Sequence, residues 1–489
     1  MSEAGDPRQL DRLELVALGY LLAPMLLFFW GWWRWPVALV ATGLLALAGH
    51  TALSRRRAGA RPLGPILWLA LAGVAVLWVA CSGLLGGLPL MKDWSVRMVV
   101  LHDLTMGAWP VGYGTLAGGE GMLRFSMGYY LVPAGLGGLI GGVDGGVEAA
   151  RLLLGLWTVL GVLLFLALVV QSWGSRRPVV LAGLLAVLVL FSGMDFPGFL
   201  LEKASVPELG EHIEWWAPWL QYSSQTTLLF WAPNHALPAW LGAALVWRHR
   251  EAGLALAPAA LLLAAAALWS PLACVGLLPL LAVATLQHKP LRAWLCELLR
   301  PPVLAVLPVL ALLAVFVSFG IATEVLPTER LRLAEVATAT ATWYQWICFQ
   351  LFEWGFLAGA MLAAGPRRLG WTFWTACALL FALPLLRFGP GNDLVMRAGI
   401  APVTLLMLCA ARAVGDAAMP ARWRAAVVAM LLVGVATPAQ EFWRQTLPGS
   451  RWPDEGRSMA SYQGQAWHYV GALRPGWLAQ ALRPPVRLP

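Results

Sequence analysis

Three polar segments set among apolar runs hold most of the residues able to do chemistry. The first runs from Lys92-Asp93-Trp94 through Arg97 to His102-Asp103-Leu104 and Trp109-Pro110. Helical spacing puts Trp94, Met98, Leu101 and Leu104 on one face, with Asp93 and Arg97 at i, i+4 along its edge. This predicts an interfacial amphipathic helix, apolar face in lipid and polar side outward, ended by Pro110 and the glycines after it. On such a helix Asp93 is either a general base held at headgroup level or half of a helix-surface ion pair with Arg97.

The second segment carries His212-Ile213-Glu214-Trp215-Trp216, then Gln221-Tyr222-Ser223-Ser224, and leads into Pro233-Asn234-His235. Aromatic faces beside polar side chains suit a sugar. Its C–H faces stack on Trp215, and its hydroxyls bond to His212, Glu214, Tyr222, Asn234 and His235. The plainer alternatives are an aromatic belt for Trp215 and Trp216 and helix–helix hydrogen bonding for Asn234 and His235. The His212-x-Glu214 spacing alone is a weak metal signal with no third ligand nearby. A divalent metal is therefore compatible with the sequence but not indicated, and no metal site is assigned.

The third segment, Gly389-Pro390-Gly391-Asn392-Asp393-Leu394-Val395-Met396-Arg397, is a turn leading into an apolar helix. Asn392 or Asp393 is placed to cap that helix, whose N-terminus favours anions. Arg397 has the planar fork that suits a phosphate, or it snorkels to the interface. Lys203 is a second candidate cation for a phosphate.

These side chains need elements to hold them, and the composition names the kind. The chain has 489 residues, 60% hydrophobic and only 12% charged. A soluble globular enzyme carries about twice that charge, so that class is excluded, with disordered and fibrous chains. The continuous Leu/Ala-rich runs exclude a β-barrel, whose strands alternate. What remains is an all-α polytopic membrane bundle. Apolar runs predict about thirteen spans, near 13–33, 36–53, 64–86, 148–172, 178–197, 224–247, 253–269, 271–287, 302–322, 339–364, 370–388, 398–414 and 423–441. The basic loops at 54–61, 175–178, 248–250, 288–300, 366–368 and 412–424 fall on one side if the N-terminus is cytoplasmic and the C-terminus external. That agreement requires 125–142 not to span, which makes 88–146 one long external loop. The three polar segments then share the external face. The spans are nearly free of charge, Glu353 being the main exception.

The 28 Trp fit membrane interfaces, and the net charge of +9 is the signature of basic cytoplasmic turns rather than of nucleic-acid binding. The six Cys show neither a disulfide framework nor zinc-ligand spacing. The first apolar run reads as a retained anchor rather than a signal peptide. The Arg-rich composition points to a bacterial inner membrane.

A long first external loop with an acidic residue just after the preceding span, many spans and short Arg-rich turns resembles the GT-C class of membrane glycosyltransferases. The stretches KDWSVRMVVLHDLTMGAWPVGYG, HIEWWAPWLQYSSQTTLLFWAPNHALPAW and GNDLVMRAGIAPVTLL look like matching segments of bacterial members of that class whose activity is only inferred. The architectural resemblance covers most of 64–441. It sets apart two extra N-terminal helices in 1–63, a catalytic module in 64–441 with interfacial helices in the loop 88–146, and an external tail in 442–489. The resemblance implies transfer of a sugar from a polyprenyl-phosphate donor to a glycan, lipid or protein acceptor at the external face of the bilayer. It also implies that an acidic residue of the first loop deprotonates the acceptor. That role matches Asp93, with Asp103 second. Arg397, Lys203 and Arg97 would hold the donor phosphate. His102, His212, Glu214, Trp215, Tyr222, Asn234, His235 and Asp393 would line the sugar and acceptor side. Lys92-Asp93-Trp94 departs from a paired acidic motif, which leaves a double-acid or metal-assisted mechanism without its second acid.

Three other classes compete, one of them a non-catalytic assembly subunit. An O-antigen-type polymerase or ligase more often has its largest external loop in the second half of the chain, whereas here it is in the first. A transporter or lipid flippase would carry intramembrane charges or an internal repeat. No repeat is visible, and Glu353 with Asn234-His235 are the features that would serve it.

Overall fold

Inside a bilayer the backbone must satisfy its own hydrogen bonds, so apolar runs of this length become helices. The computed structural model describes residues 6, 8–54, 62–116, 119–318, 332–333, 340–388, 391–447, 458–461 and 469–488. The expected basic loop over 55–61, most of the external segment 323–338 and the turn residues Gly389-Pro390 lie outside them.

Asp11 and Glu14 form a reciprocal capping box that starts α1 (Arg12–Trp32). Next come α2 (Trp35–Ser54), α3 (Pro65–Cys81), α4 (Trp94–Met106), the hairpin strands β1 (Val111–Leu116) and β2 (Gly119–Leu123), and the long α5 (Gly128–Ser172). The middle of the chain holds α6 (Pro178–Leu190), α7 (Asp195–Lys203), a 3-10 turn at Ile213–Trp216, α8 (Gln225–Trp231), α9 (Pro233–Arg248), α10 (Leu256–Trp269), α11 (Pro271–Leu286), α12 (Leu291–Leu298), α13 (Pro301–Leu304) and α14 (Val306–Ser318). Then follow β3 (Arg332–Leu333), α15 (Thr340–Gln350), a π-helical turn at Leu351–Gly355, α16 (Phe356–Ala364), α17 (Trp371–Ala382), β4 (Leu386–Arg387), α18 (Asp393–Ala398), α19 (Ile400–Gly415), α20 (Ala421–Gly434) and α21 (Ala436–Arg444). The tail supplies β5 (Val470–Leu473), α22 (Trp477–Ala481) and β6 (Val486–Arg487).

The chain is thus a mostly helical, membrane-embedded protein. Among the described residues seven helices are long and apolar enough to cross a membrane: 12–32, 35–54, 144–172, 178–203, 301–318, 343–364 and 421–444. An eighth counts if α11 and α12, bent by 119°, are one span. Shorter apolar helices at Pro65–Cys81, Leu256–Trp269, Trp371–Leu385 and Ile400–Gly415 occupy four more of the expected runs.

The segment 125–142 becomes the first arm of α5. The helix breaks at Gly142, where φ is +58°, a conformation that favours glycine. The arm 128–141 is about 21 Å long at about 1.5 Å per residue, too short for a hydrocarbon core of about 30 Å. It folds back on the second arm so closely that a Cβ on Gly137 would lie 2.5 Å from that of Ala150. It also covers α4. A Cβ on Gly138 would sit 3.0 Å from the Thr105 carbonyl, and Tyr129 packs 6.4 Å from the Trp94 ring. This corrects the expected helix in lipid: Trp94, Met98, Leu101 and Leu104 do share a face, but it is buried in protein.

The N-terminal helices and the tail are not separate from the rest. Arg248 of α9 is ion-paired with both Asp11 and Glu14, all three side chains being buried. Tyr20 donates to the Trp157 carbonyl at 3.0 Å, and Trp269 donates to the Leu21 carbonyl at 3.0 Å. The tail completes a four-stranded sheet in the order β5-β2-β1-β6, with β5 antiparallel to β2 and β6 parallel to β1. The divisions expected at residues 63 and 442 therefore do not coincide with breaks in packing.

Candidate functional site

Three helix ends meet beside Asn234 and His235. Trp94 is buried and donates its indole N–H to the Phe230 carbonyl at 2.8 Å, which fixes the start of α4 against the end of α8. Pro233 at the first position of α9 sets the next two residues on its opening turn. Ser270 caps α11 by accepting from the Ala273 N–H and holds His235 Nδ1 at 2.8 Å. Asn234 Nδ2 lies 3.2 Å from His235 Nε2. The third helix end is α18, seated on α11 so tightly that a Cβ on Gly276 would fall 1.9 Å from the Ala398 carbonyl oxygen.

The guanidinium groups of Arg97 and Arg397 both act electrostatically on the His235 ring. Arg397 is paired at 2.7 Å with Asp393, one turn earlier. Arg97 lies 5.4 Å from the Trp94 ring centre and acts on Tyr130 as well. Arg97 Nη1, the Tyr130 hydroxyl and Asn234 Oδ1 are all buried without a hydrogen-bond partner among the described residues. Buried polar atoms nearly always have partners, so unpaired donors beside two cations are chemically available to an anion.

Asp93 opens α4 and is exposed, with no hydrogen bond or ion pair among the described residues. Of the two readings of Asp93, the ion pair with Arg97 does not form among the described residues. Asp103 is the opposite case. It is fully buried and accepts from the Tyr113 hydroxyl at 2.9 Å, the Met459 N–H at 2.8 Å and the Ser458 hydroxyl at 3.4 Å. His102 Nδ1 is 3.1 Å from its other oxygen. Burial and the Asp103 charge push the Tyr113 phenol well above its usual range. Asp103 is a tether between α4, the hairpin and the tail, with its carboxylate fully engaged. Asn392 stands at the capping position of α18 in a left-handed conformation, yet makes no cap bond. Its side chain closes the turn instead, accepting from the Phe388 N–H and donating to the Leu386 carbonyl.

The second polar segment forms a separate group on the other side of α8. His212 Nδ1 lies 2.7 Å from Glu441 Oε1 of α21, and Trp231 donates to the other Glu441 oxygen at 2.7 Å. Glu214 is buried and accepts from Gln221 Nε2 at 2.6 Å, the Ser224 N–H at 2.8 Å and the Thr227 hydroxyl. Burial, with the charges of Asp195 and Glu441, pushes the Glu214 carboxyl up to about 7 against the pull of His212. Burial opposes charging His212, but Glu441 and Glu214 outweigh it and raise its pKa. Trp215 is 62% exposed, with its ring edge-on to His212 at 4.6 Å. Tyr222 is not open to a sugar: it is buried and its hydroxyl donates to the Leu380 carbonyl at 2.7 Å. Lys203 is exposed at the last turn of α7, a helix that packs on the Ile213–Trp216 turn and α21. Among the described residues, no group of three or more His, Cys, Asp or Glu is arranged to hold a metal ion.

Arg97 and Arg397, the latter paired with Asp393, therefore share electrostatic influence over His235, while His212, Glu214 and Trp215 form a group of their own. Tyr130, Ser270 and Glu441 join these groups without having been expected. Ser270 had a readable signal, a small hydroxyl residue directly before a helix-starting proline. Tyr130 had none, lying beside Tyr129 at the start of an apolar, Gly-rich stretch. Comparison with protein-family models, with characterised proteins and with solved structures finds no match to this chain.

Proposed function

We propose that the protein is a membrane glycosyltransferase of GT-C-like architecture with about thirteen spans. It moves a sugar from a polyprenyl-phosphate donor to an acceptor at the external face. What supports this reading is that Arg97 and Arg397 both act electrostatically on His235, and that Arg97 Nη1 and the Tyr130 hydroxyl are buried without a hydrogen-bond partner among the described residues. A lipid phosphate is already a fair leaving group. The protein then needs cations where its charge develops, a base for the acceptor hydroxyl, and alignment of the two. Arg97 and Arg397 supply the cations, and the free carboxylate of Asp93, one helical turn from Arg97, supplies the base. The test is release of polyprenyl phosphate from a set of polyprenyl-phosphate sugars by the protein reconstituted in liposomes. Turnover is expected for the natural protein and its loss in an Arg97→Gln/Arg397→Gln double variant. No release with any donor, or equal release by the variant, would remove the proposal.

Ion-coupled transport is the second reading, favoured by one feature. Glu353 is buried in the helix 343–364 at a π-helical turn, beside Asp195 and hydrogen-bonded to Trp216 at 3.2 Å. Such turns and such charges are frequent at functional positions in membranes. Proton flux into liposomes that disappears in Glu353→Gln, without any sugar transfer, would favour this reading.

A further inference from the structure

At the end of the bundle that carries the basic loops lies a cavity of about 780 Å³. It is lined by Arg177, Arg250 and Arg412 and by Trp173, Trp247 and Trp371. Arg250 stacks 4.4 Å from the Trp247 ring centre, donates to the Trp247 carbonyl at 2.8 Å and pairs with Glu251 at 3.0 Å. Arg177 and Arg412 have no side-chain hydrogen bond or ion pair among the described residues and are exposed to the cavity side of the chain. Asp416, the other acid on the wall, accepts from the Ala418 N–H at 2.9 Å. Burial, and then the like charge of Arg412, work against the charge on Arg250. The cavity thus holds cations that repel one another, and an anion would relieve that repulsion.

A second cavity of about 470 Å³ continues from the first and shares Trp173, Val180 and Gly415 with it. Its walls are apolar side chains of α6, α19 and α20, among them Val179, Val187, Leu190, Val414, Leu431 and Val435. From Val179 to Leu190 it follows α6 for about 17 Å at about 1.5 Å per residue, roughly half of a bilayer core of about 30 Å. Val179 and Leu432 on its rim are strongly exposed, so the groove opens sideways toward lipid.

We infer that the two cavities together are a site for a membrane lipid with an exposed anionic phosphate headgroup. The phosphate sits among Arg177, Arg250 and Arg412, and one hydrocarbon chain lies in the α6–α19–α20 groove. The depth of the groove matches a chain confined to one leaflet, and among the described residues the cations on the walls of the two cavities all lie at its polar end. This site lies at the opposite end of α9 and α19 from His235 and Arg397 and does not depend on the glycosyl-transfer reading.

The test uses the full-length protein in detergent, with bound lipid counted by native mass spectrometry after exposure to phosphatidic acid, phosphatidylcholine or inorganic phosphate. Phosphatidic acid should be retained over phosphatidylcholine by about tenfold or more, a difference of about 1.4 kcal/mol. Arg177→Gln/Arg412→Gln should remove that preference. A Cβ on Gly183 in the groove wall meets nothing within 4 Å, so a side chain can start there, and Gly183→Trp should obstruct the groove and also abolish retention. Equal retention of both lipids would reduce the site to an unspecific apolar groove and overturn the inference. So would undiminished phosphatidic acid binding in either variant at an unchanged melting temperature. Competition by inorganic phosphate with full tolerance of Gly183→Trp would mean a free-anion site and overturn it equally.

Discussion

His212 Nδ1 lies 2.7 Å from Glu441 Oε1, so one hydrogen bond ties the second polar segment to the last membrane helix. Glu214 stands on the far side of the same ring, 3.9 Å from Nε2. The two carboxylates favour the protonated imidazole, and the whole group is buried under Trp215 and Trp231.

Stability should fall as pH rises through the neutral range. His212 has a folded pKa above its ordinary value, so its contribution is complete below about 6.5 and is lost as pH climbs through the folded value. Glu214 is raised from 4.5 to about 7, so its neutral form is favoured in the fold, and its contribution is complete below 4.5 and fades as pH rises to about 7, a lower window than that of His212. At about 1.4 kcal/mol per unit the Glu214 effect is on the order of 3–4 kcal/mol. Melting temperatures in detergent between about pH 5 and about pH 8 should therefore decline, and His212→Gln should flatten the upper part of the curve. A profile that rises with pH would contradict the buried-pair account.

Asp93 and Asp103 sit on one helix and should fail in different ways. Asp93 is exposed and unpaired, so Asp93→Asn should leave the melting temperature unchanged while lowering kcat for sugar transfer by roughly 10²–10⁴-fold, the range of a lost general base. Asp103 is buried with three donors, so Asp103→Asn should lower stability by about 1–3 kcal/mol and loosen the tail. Thermal unfolding and limited proteolysis after residue 447 check the second outcome. A stable, inactive Asp103→Asn with a fully active Asp93→Asn would exchange their roles.

The membrane class and the placement of most helices were legible because burial in lipid demands long apolar runs, and charge is too costly to scatter among them. The amphipathic stripe of α4 was legible too, but not what covers it. Periodicity shows that Trp94, Met98, Leu101 and Leu104 must leave water, and lipid and protein both satisfy that demand. The arm that covers them depends on Gly137, Gly141 and Gly142, whose absent side chains carry no hydropathy signal. The shared influence of Arg97 and Arg397 on His235 joins residues far apart in sequence through the docking of α18 on α11, which local patterns do not encode. Tyr222 looked like a sugar contact because its neighbours are polar, whereas its hydroxyl bonds a backbone carbonyl from α17.

The Tyr130 hydroxyl gives a sharper probe of the phosphate site than either arginine. It is fully buried near Arg97 and has no hydrogen-bond partner among the described residues. Leaving such a group unpaired costs about 1–3 kcal/mol, so Tyr130→Phe should hold or raise the melting temperature. If the hydroxyl donates to the donor phosphate, the same change should raise the donor KM by about tenfold, equivalent to about 1.4 kcal/mol. Steady-state kinetics with the lipid-linked donor and thermal unfolding together decide this. A lower melting temperature with an unchanged KM would assign Tyr130 to packing alone.

The position of Arg397 should depend on a glycine two residues later. A Cβ on Gly399 would lie 2.5 Å from Tyr222 Cε1 and 2.6 Å from the Val395 carbonyl. The ring cannot easily yield, because its hydroxyl is held by the Leu380 carbonyl at 2.7 Å. Gly399→Ala should therefore push α18 away from Tyr222 and carry Arg397 with it. Overpacking of this kind costs about 1–3 kcal/mol, and the displaced guanidinium should raise the donor KM in the same variant. Gly415→Ala, at the far end of α19, is the control, since its Cβ meets nothing within 4 Å. Shrinking the obstacle in a Gly399→Ala/Tyr222→Leu double variant should recover much of the donor KM, even though the lost tyrosine leaves stability lower. A Gly399→Ala protein with natural stability and natural KM would show that α18 does not set the reach of Arg397.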